Sequence, residues 1–419
     1  MHLTHKKKGF LEKWKLPTLL LIGIGVSGLG DFVYLIAINL LILDMTHSAA
    51  AVAGLWIIGP IVAILTNFWS GGFIDRGNKR NILILTDIVR AISVAIIPLL
   101  SSIWSIYMML VIISLAKAFF TPASTTYITK LIPHHQRKKF NSINSLVRSG
   151  AFVVGPSIAG ALFLLSSVDV AIYINAISFA VSAIVLFLMP DLDKDLQSQN
   201  APKKGTWKTF ILDWKEVIGQ YQKQAYVFIL YSLYIVTIIF TFAMDSQEVV
   251  FTQKVIGLSA TQFSLLVSIT GIGYLLGSMY ISFLSNRISI KQLIGIGITL
   301  MSVGYIIFSL SHSFMSAVIG FSILGFFNAF SGTGFNTFYQ NNIPIEIMGR
   351  VSSVLGVLQN AAQIIFLLFI GFLGDILSLR NVIVTISFLN FLTAVLINLF
   401  MFKPEKHIYF TETEEEKSL

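Results

Sequence analysis

The chain has no cysteine, only 10 prolines in 419 residues, and little charge: Asp, Glu, Lys and Arg together make up 12%. The missing thiols exclude disulfides, thiolate catalysis and Cys-ligated zinc. A soluble globular domain carries about 25% charged residues, so this chain does not read as one. No Gly-x-x-x-x-Gly-Lys-Ser/Thr phosphate loop occurs, which excludes ATP as a direct energy source. His134-His135 are adjacent rather than at metal-ligand spacing, and Gly271-Ile272-Gly273 sits inside an apolar run. No catalytic residue, metal site or cofactor is therefore expected, and the chain does not read as an enzyme. The net charge of +9 does not imply a nucleic-acid partner, because the basic residues cluster in alternate loops.

What is present is apolar. Hydrophobic residues make up 55% of the chain, and mean hydropathy is +0.80. Apolar runs lie at Pro17–Leu43, Ala51–Ile74, Ile82–Ser101, Trp104–Ile128, Phe140–Leu165 and Val168–Met189. A second set follows at Ala225–Ala243, Thr261–Leu284, Ile288–Leu310, Phe314–Phe338, Met348–Leu373 and Val382–Phe402. Each is near the ~20 residues a helix needs to cross a bilayer. The first run is too long for the ~7–15-residue core of a signal peptide, so it reads as an uncleaved membrane helix. The expected fold is an all-α membrane protein of twelve transmembrane helices.

An even number of spans puts both termini on one side. Lys6, Lys7, Lys8, Lys13 and Lys15 precede the first span. Arg76, Lys79 and Arg80 follow the second, and Lys130, Arg137, Lys138 and Lys139 follow the fourth. The loops between carry no basic residues, so the positive-inside rule makes both termini cytoplasmic, with the protein expected in the cell membrane. The predicted divisions are a cytoplasmic tail, 1–16; a six-helix bundle, 17–190; a cytoplasmic linker, 191–224; a second six-helix bundle, 225–402; and an acidic tail, 403–419. Within the linker, Trp207, Phe210, Ile211 and Trp214 recur at helical spacing, as in a short amphipathic helix lying on the membrane.

The two bundles are related in sequence. Asp75-Arg76 corresponds to Asn286-Arg287 (286 − 75 = 211), and Ile132-Pro133 to Ile343-Pro344 (344 − 133 = 211). Lys139–Ile143 corresponds to Arg350–Val354 at the same offset. The expected architecture is thus pseudo-symmetric, as in transporters built from parallel repeats.

Two stretches stand out. Gly71–Arg80 is a short charged segment between two spans, and so a tight loop at the bilayer surface. Its Asp75 can face a neighbouring helix N-terminus, where the dipole stabilises a carboxylate. Gly71, Asp75, Arg76, Lys79 and Arg80 resemble the signature between the second and third helices of major facilitator superfamily transporters. Gly155-Pro156-Ser157-Ile158-Ala159-Gly160 in the fifth span resembles that family's antiporter motif, with Ala159 where a glycine is usual. With Phe120-Thr121-Pro122-Ala123 and Leu131-Ile132-Pro133, the pattern is similar to the drug:proton antiporter branch that includes macrolide efflux proteins. The resemblance implies the major facilitator fold and proton-driven export of an amphipathic small molecule, macrolide or other drug-like, by alternating access. Siderophore exporters share that branch. A proton-coupled nutrient importer and a non-transporting membrane receptor remain the alternatives. The expected partners are substrate, protons and the lipid bilayer, with the protein acting as a monomer.

Ionisable residues inside a membrane are costly and mark function. Asp31 lies mid-span in Gly28-Leu29-Gly30-Asp31 and is the best-placed proton carrier, with Arg90 and Lys117 as coupling partners. Asp87 and Arg90, three apart, share a helix face and can pair; Asp87 also lies near enough to join the Asp75–Arg80 gate. Arg148 and Lys117 are expected to offset Asp31. The second bundle is read as free of midspan charge, with Asp245 and Glu248 near the outer end of its first helix. Its polar candidates are amides: Asn328, Asn336, Gln340, Gln359, Asn360 and Gln363 can contact substrate, as can Arg148 of the first bundle.

Overall fold

The computed structural model describes residues 2–66, 77–193, 214, 217, 219, 224–284, 287–402 and 409–410. Among them the backbone is helical, with no strand. Twelve long helices follow one another: α1 (His2–Thr46), α2 (Ala49–Thr66), α3 (Lys79–Ile96), α4 (Ile103–Leu131), α5 (His134–Leu165) and α6 (Val168–Leu188). Then come α7 (Ala225–Val250), α8 (Ala260–Leu284), α9 (Ile290–Ser309), α10 (Phe314–Asn342), α11 (Ile345–Ile376) and α12 (Leu379–Met401). Each contains a stretch long and apolar enough to cross a membrane. A helix satisfies every backbone N–H and C=O within the segment, which lipid cannot do.

The ends follow local chemistry. α1 and α2 are separated only by His47, in the left-handed region at φ 49°, and Ser48. Asn78 caps α3 by accepting the Asn81 N–H at 3.1 Å. Ser289 and Gln292 form a reciprocal capping box at the start of α9. α7 does not stop where its apolar run does. It continues through a π-helical turn, Phe251–Ile256, to Gly257 at φ 81°.

The internal repeat is written into the helix boundaries. The starts of α2 and α8, α3 and α9, α4 and α10, α5 and α11, and α6 and α12 all differ by the same number: 260 − 49 = 290 − 79 = 314 − 103 = 345 − 134 = 379 − 168 = 211. α4 and α10 each have 29 residues, and α5 and α11 each have 32. The packing repeats as well: α3 packs on α4 and α6, and α9 packs on α10 and α12.

The chain forms two compact units. The first comprises Met1–Met45 and Leu65–Gly205; the second comprises Thr46–Ile64 and Thr206–Leu419. In the first, Trp14, Leu20, Leu83, Tyr127, Phe140 and Leu186 are buried together. In the second, Phe228, Ile294, Tyr305, Phe335, Phe338 and Ile397 belong to one buried cluster. Most of α2 groups by its contacts with the second unit, while the internal repeat pairs it with α8 as a member of the first half. The reason is local: the Ala49, Ala50 and Ala53 surface is small enough for close approach by α11, and Trp56 meets Phe242 of α7 edge-on at 5.2 Å.

Candidate substrate and proton site

Asp31 of α1 is half-buried in the first unit, and its position is set by glycine. A Cβ on Gly155 of α5 would lie 2.5 Å from Phe32 Cβ and 3.3 Å from the Leu29 carbonyl. Only glycine lets α5 approach α1 this closely beside the acid. Phe32 and Phe152 pack at 5.1 Å between the same helices. The hydroxyl of Tyr34, one turn beyond Asp31, is buried without a hydrogen-bond partner. Of the motif residues Gly155, Pro156 and Gly160, Gly155 thus has a clear structural reason, and Pro156 stands inside the α5 helix.

Three cations act electrostatically on Asp31: Lys117 of α4 foremost, then Arg90 of α3 and Arg148 of α5. They are not equivalent. Arg90 is 3% exposed and Asp87 0%, and the two form an ion pair. The Arg90 guanidinium is also clasped between the rings of Phe120, at 4.1 Å, and Phe179, at 4.3 Å. The pairing expected from their spacing is present, and it commits Arg90 to Asp87. Lys117 and Arg148 are exposed and make no ion pair among the described residues.

Lys117 heads an exposed polar stripe. It stands at the midpoint of α4 (117 − 103 = 131 − 117 = 14), followed at four-residue intervals by Thr121, Thr125 and Thr129, all exposed. Each threonine hydroxyl donates to the carbonyl four residues back, at 2.8–3.1 Å. In α10 the repeat places Asn328, Gly332, Asn336 and Gln340 at the matching positions (328 − 117 = 340 − 129 = 211). All three amides are exposed, and a Cβ on Gly332 would meet no atom within 4 Å. Arg148 of α5 likewise matches Gln359 of α11 (359 − 148 = 211). Lys117 and Asn328, exposed at the midpoints of membrane-length helices, are costly to place against lipid; Asn336 and Gln340 continue toward the end of α10.

The other amides differ. Gln359 and Asn360 are half-buried. Gln363 is 5% exposed, which sets it in the packed interior of its unit rather than on an open face. Beside Asn336 and Gln340 is an aromatic group: Tyr234 stacks on Phe335 at 3.7 Å, Tyr231 packs on Tyr339 at 5.1 Å, and the Tyr339 and Ser352 hydroxyls are 2.8 Å apart.

The reading of Asp245 and Glu248 as acids near the outer end of their span is corrected. The membrane-length segment of α7 extends to Ile256 (256 − 243 = 13 residues beyond the predicted end). Asp245 accepts a hydrogen bond of 2.7 Å from the Tyr305 hydroxyl of α9. Tyr305 is 1% exposed, and Glu248 interacts electrostatically with Asp245. The second unit therefore does hold carboxylates within a span.

Gly71, Asp75 and Arg76 lie outside the described residues, as do Asn286 and, apart from Trp214, the amphipathic stretch of the linker. Lys79 and Arg80 are described, and they meet a partner the motif did not reveal. The Lys79 N–H donates to Asp193 Oδ2 at 2.7 Å, and Lys130 Nζ donates to Asp193 Oδ1 at 2.5 Å. Asn78 Nδ2 donates to Asp191 Oδ1 at 2.8 Å. Arg80 donates to the carbonyls of Leu186, at 3.2 Å, and Phe187. The first residues after α6 thus clamp the start of α3. The missed signal was Asp191-x-Asp193 immediately after a span, a spacing suited to capping a neighbouring helix.

Several known proteins are similar to this chain over most of its length. An MFS-type transporter of Bacillus subtilis (strain 168), YfiS, is 25% identical over 81% of each chain. The multidrug efflux pump Tap of Mycolicibacterium fortuitum is 22% identical, over 92% of this chain and 94% of its own. Macrolide efflux protein A of Streptococcus pyogenes is 22% identical, over 87% and 91%. Among solved structures, the nucleoside transporter NupG superposes with a TM-score of 0.71 at 15% identity, covering 93% of this chain and 99% of its own. The sequence profile of the Major Facilitator Superfamily matches residues 20–252 and 233–418, so the chain, with twelve membrane-length helices in two related halves, belongs to that superfamily of transporters and is not an enzyme.

Proposed function

We propose that the protein is a proton-driven exporter of amphipathic small molecules across the bacterial plasma membrane, acting as a monomer by alternating access, with both termini cytoplasmic. The observation that carries this reading is Asp31: a mid-span carboxylate beside the Gly155–Phe32 contact, under the charges of Lys117 and Arg148. A fixed charge at such a depth is poorly solvated, and reversible protonation relieves that cost. The Gly155-Pro156-Gly160 motif and the efflux proteins among the relatives favour export over import. Lys117 and Arg90 tune the carrier, and Arg90 does so through Asp87.

The exposed stripes on α4 and α10 supply polar contacts for substrate, with Arg148, Gln359 and Asn360 at their flanks. The Tyr231, Tyr234, Phe335 and Tyr339 rings supply an apolar platform. A macrolide, with a large apolar ring and peripheral hydroxyls, suits such a mixture. Purified protein in vesicles, with internal pH and macrolide content followed together, tests the reading. Macrolide movement opposite to proton flux supports it. Movement of both in the same direction makes the protein an importer, and no movement of either removes this substrate class.

A further inference from the structure

The first turn of α2 is bound by one carboxylate. Asp375, next to the last residue of α11, accepts the Ser48 hydroxyl at 2.6 Å on Oδ2 and the Ala49 N–H at 2.7 Å on Oδ1. The Ala50 N–H reaches Oδ2 at 3.4 Å. These are the unpaired donors of a helix start, and a carboxylate there also meets the positive end of the helix dipole. Two further contacts fix the same turn. The Lys254 ammonium donates to the His47 carbonyl, and Gln247 Nε2 donates to the Ala49 carbonyl at 3.3 Å. Beneath them, a Cβ on Gly371 would lie 2.9 Å from both Ala50 Cα and Ala53 Cβ.

All of these residues belong to the second unit. In the repeat, however, α2 is the counterpart of α8 and belongs to the first half. In sequence it follows α1 after His47 and Ser48. Its attachment to the second unit at this end includes the bonds to Asp375, the Lys254 and Gln247 contacts and a close alanine–glycine approach. Polar contacts at a helix end can part and re-form as two alternative states.

We propose that Asp375 is a gating residue of the transport cycle, holding the N-terminus of α2 against the end of α11 in one state and releasing it in the other. The proposal rests on the alternating-access reading but not on the substrate or the proton. The absence of cysteine allows a clean test. Spin labels are placed on cysteines at Met45 and Leu377, exposed at 38% and 55%, in the full-length protein in lipid nanodiscs, and their separation is measured by pulsed dipolar spectroscopy.

The unaltered protein should show a dominant short distance. Asp375→Asn keeps one acceptor but loses the charge, and Asp375→Ala loses both. Each should raise a longer-distance population at least about tenfold, with Asp375→Ala the larger. Ser48→Ala should act in the same direction more weakly, and Asp375→Glu should restore part of the short-distance population. Melting temperature is recorded alongside. A distance distribution unchanged in both variants overturns the proposal. So does a lowered melting temperature with a single short distance, which marks an ordinary structural cap. Should the unaltered protein export nothing while the distances still shift, the efflux reading fails and the gate stands.

Discussion

Gly155 faces Phe32 so closely that even a methyl group on Gly155 would stand 2.5 Å from the phenylalanine Cβ. The motif glycine of α5 is therefore a spacer that sets the position of α1 one residue from Asp31. Gly155→Ala should force α1 away, lowering stability by about 1–3 kcal/mol and reducing transport more than tenfold. Gly150→Ala, where an added Cβ meets nothing within 4 Å, is the matched control and should change neither. Thermal melting and vesicle transport check both, and equal behaviour of the two variants would refute the spacer role.

Asp31→Asn separates a proton carrier from a structural counter-ion. As carrier, Asp31 is needed for gradient-driven export but not for substrate exchange, because exchange moves no net proton. The variant should insert, melt normally and exchange substrate, yet fail to concentrate it. If the carboxylate chiefly offsets Lys117 and Arg148, its loss leaves those cations without a counter-charge inside the span, and the variant should express poorly instead. A well-folded Asp31→Asn protein that still accumulates substrate against its gradient moves the carrier role to Asp245 or Glu248.

The two polar stripes should be wet. Single cysteines at Thr121, Thr125, Asn336 and Gln340 should react with a charged thiol reagent at least about tenfold faster than cysteines at Met108 and Ile319. The latter two are exposed at 60% and 51% on the same helices, at positions outside the stripes. Lipid excludes a charged reagent, and a water-filled passage admits it. Equal rates at all six sites would sink the assignment.

The start of α3 depends on Asp193. Asp193→Ala removes the acceptor of both the Lys79 N–H and the Lys130 ammonium and should cost about 1–2 kcal/mol. Asp193→Asn retains one acceptor and should cost less. Chemical or thermal unfolding in detergent checks the order, and a reversed order would exclude the cap.

The orientation is tested by a cysteine at Ser198. With cytoplasmic termini it should resist an impermeant thiol reagent in intact cells and react once the cells are opened.

The twelve spans were legible because apolar runs of membrane length leave helix as the only viable backbone, and the repeat was legible because its loops kept one register. α7 was misread because Asp245 and Glu248 looked like the charges that end a span; a buried tyrosine 60 residues away, Tyr305, is what lets Asp245 stay inside. Thr125 and Thr129 of α4 escaped notice, and Thr121 was read only within a motif, because a threonine bonded to its own helix is at home in lipid. Only their alignment with Lys117 and with the amides of α10 marks them. The grouping of α2 with the second unit was invisible, since alanines at a helix start and glycines near a helix end do not name each other. Asp375 has no sequence motif around it, and only the fold brings Ser48 and Ala49 to it.

The joint of His47 and Ser48 carries a mechanical consequence. Two residues span at most about 7 Å, so there is no slack between α1 and α2. From Asp31 to Thr46, α1 is one uninterrupted helix, a rod of about 22 Å at 1.5 Å per residue. On the proposed gating, a displacement of the first turn of α2 would be passed along that rod to the carboxylate, much as a handle turns a key. Lengthening the joint with a few glycines should leave both ends intact and disconnect them.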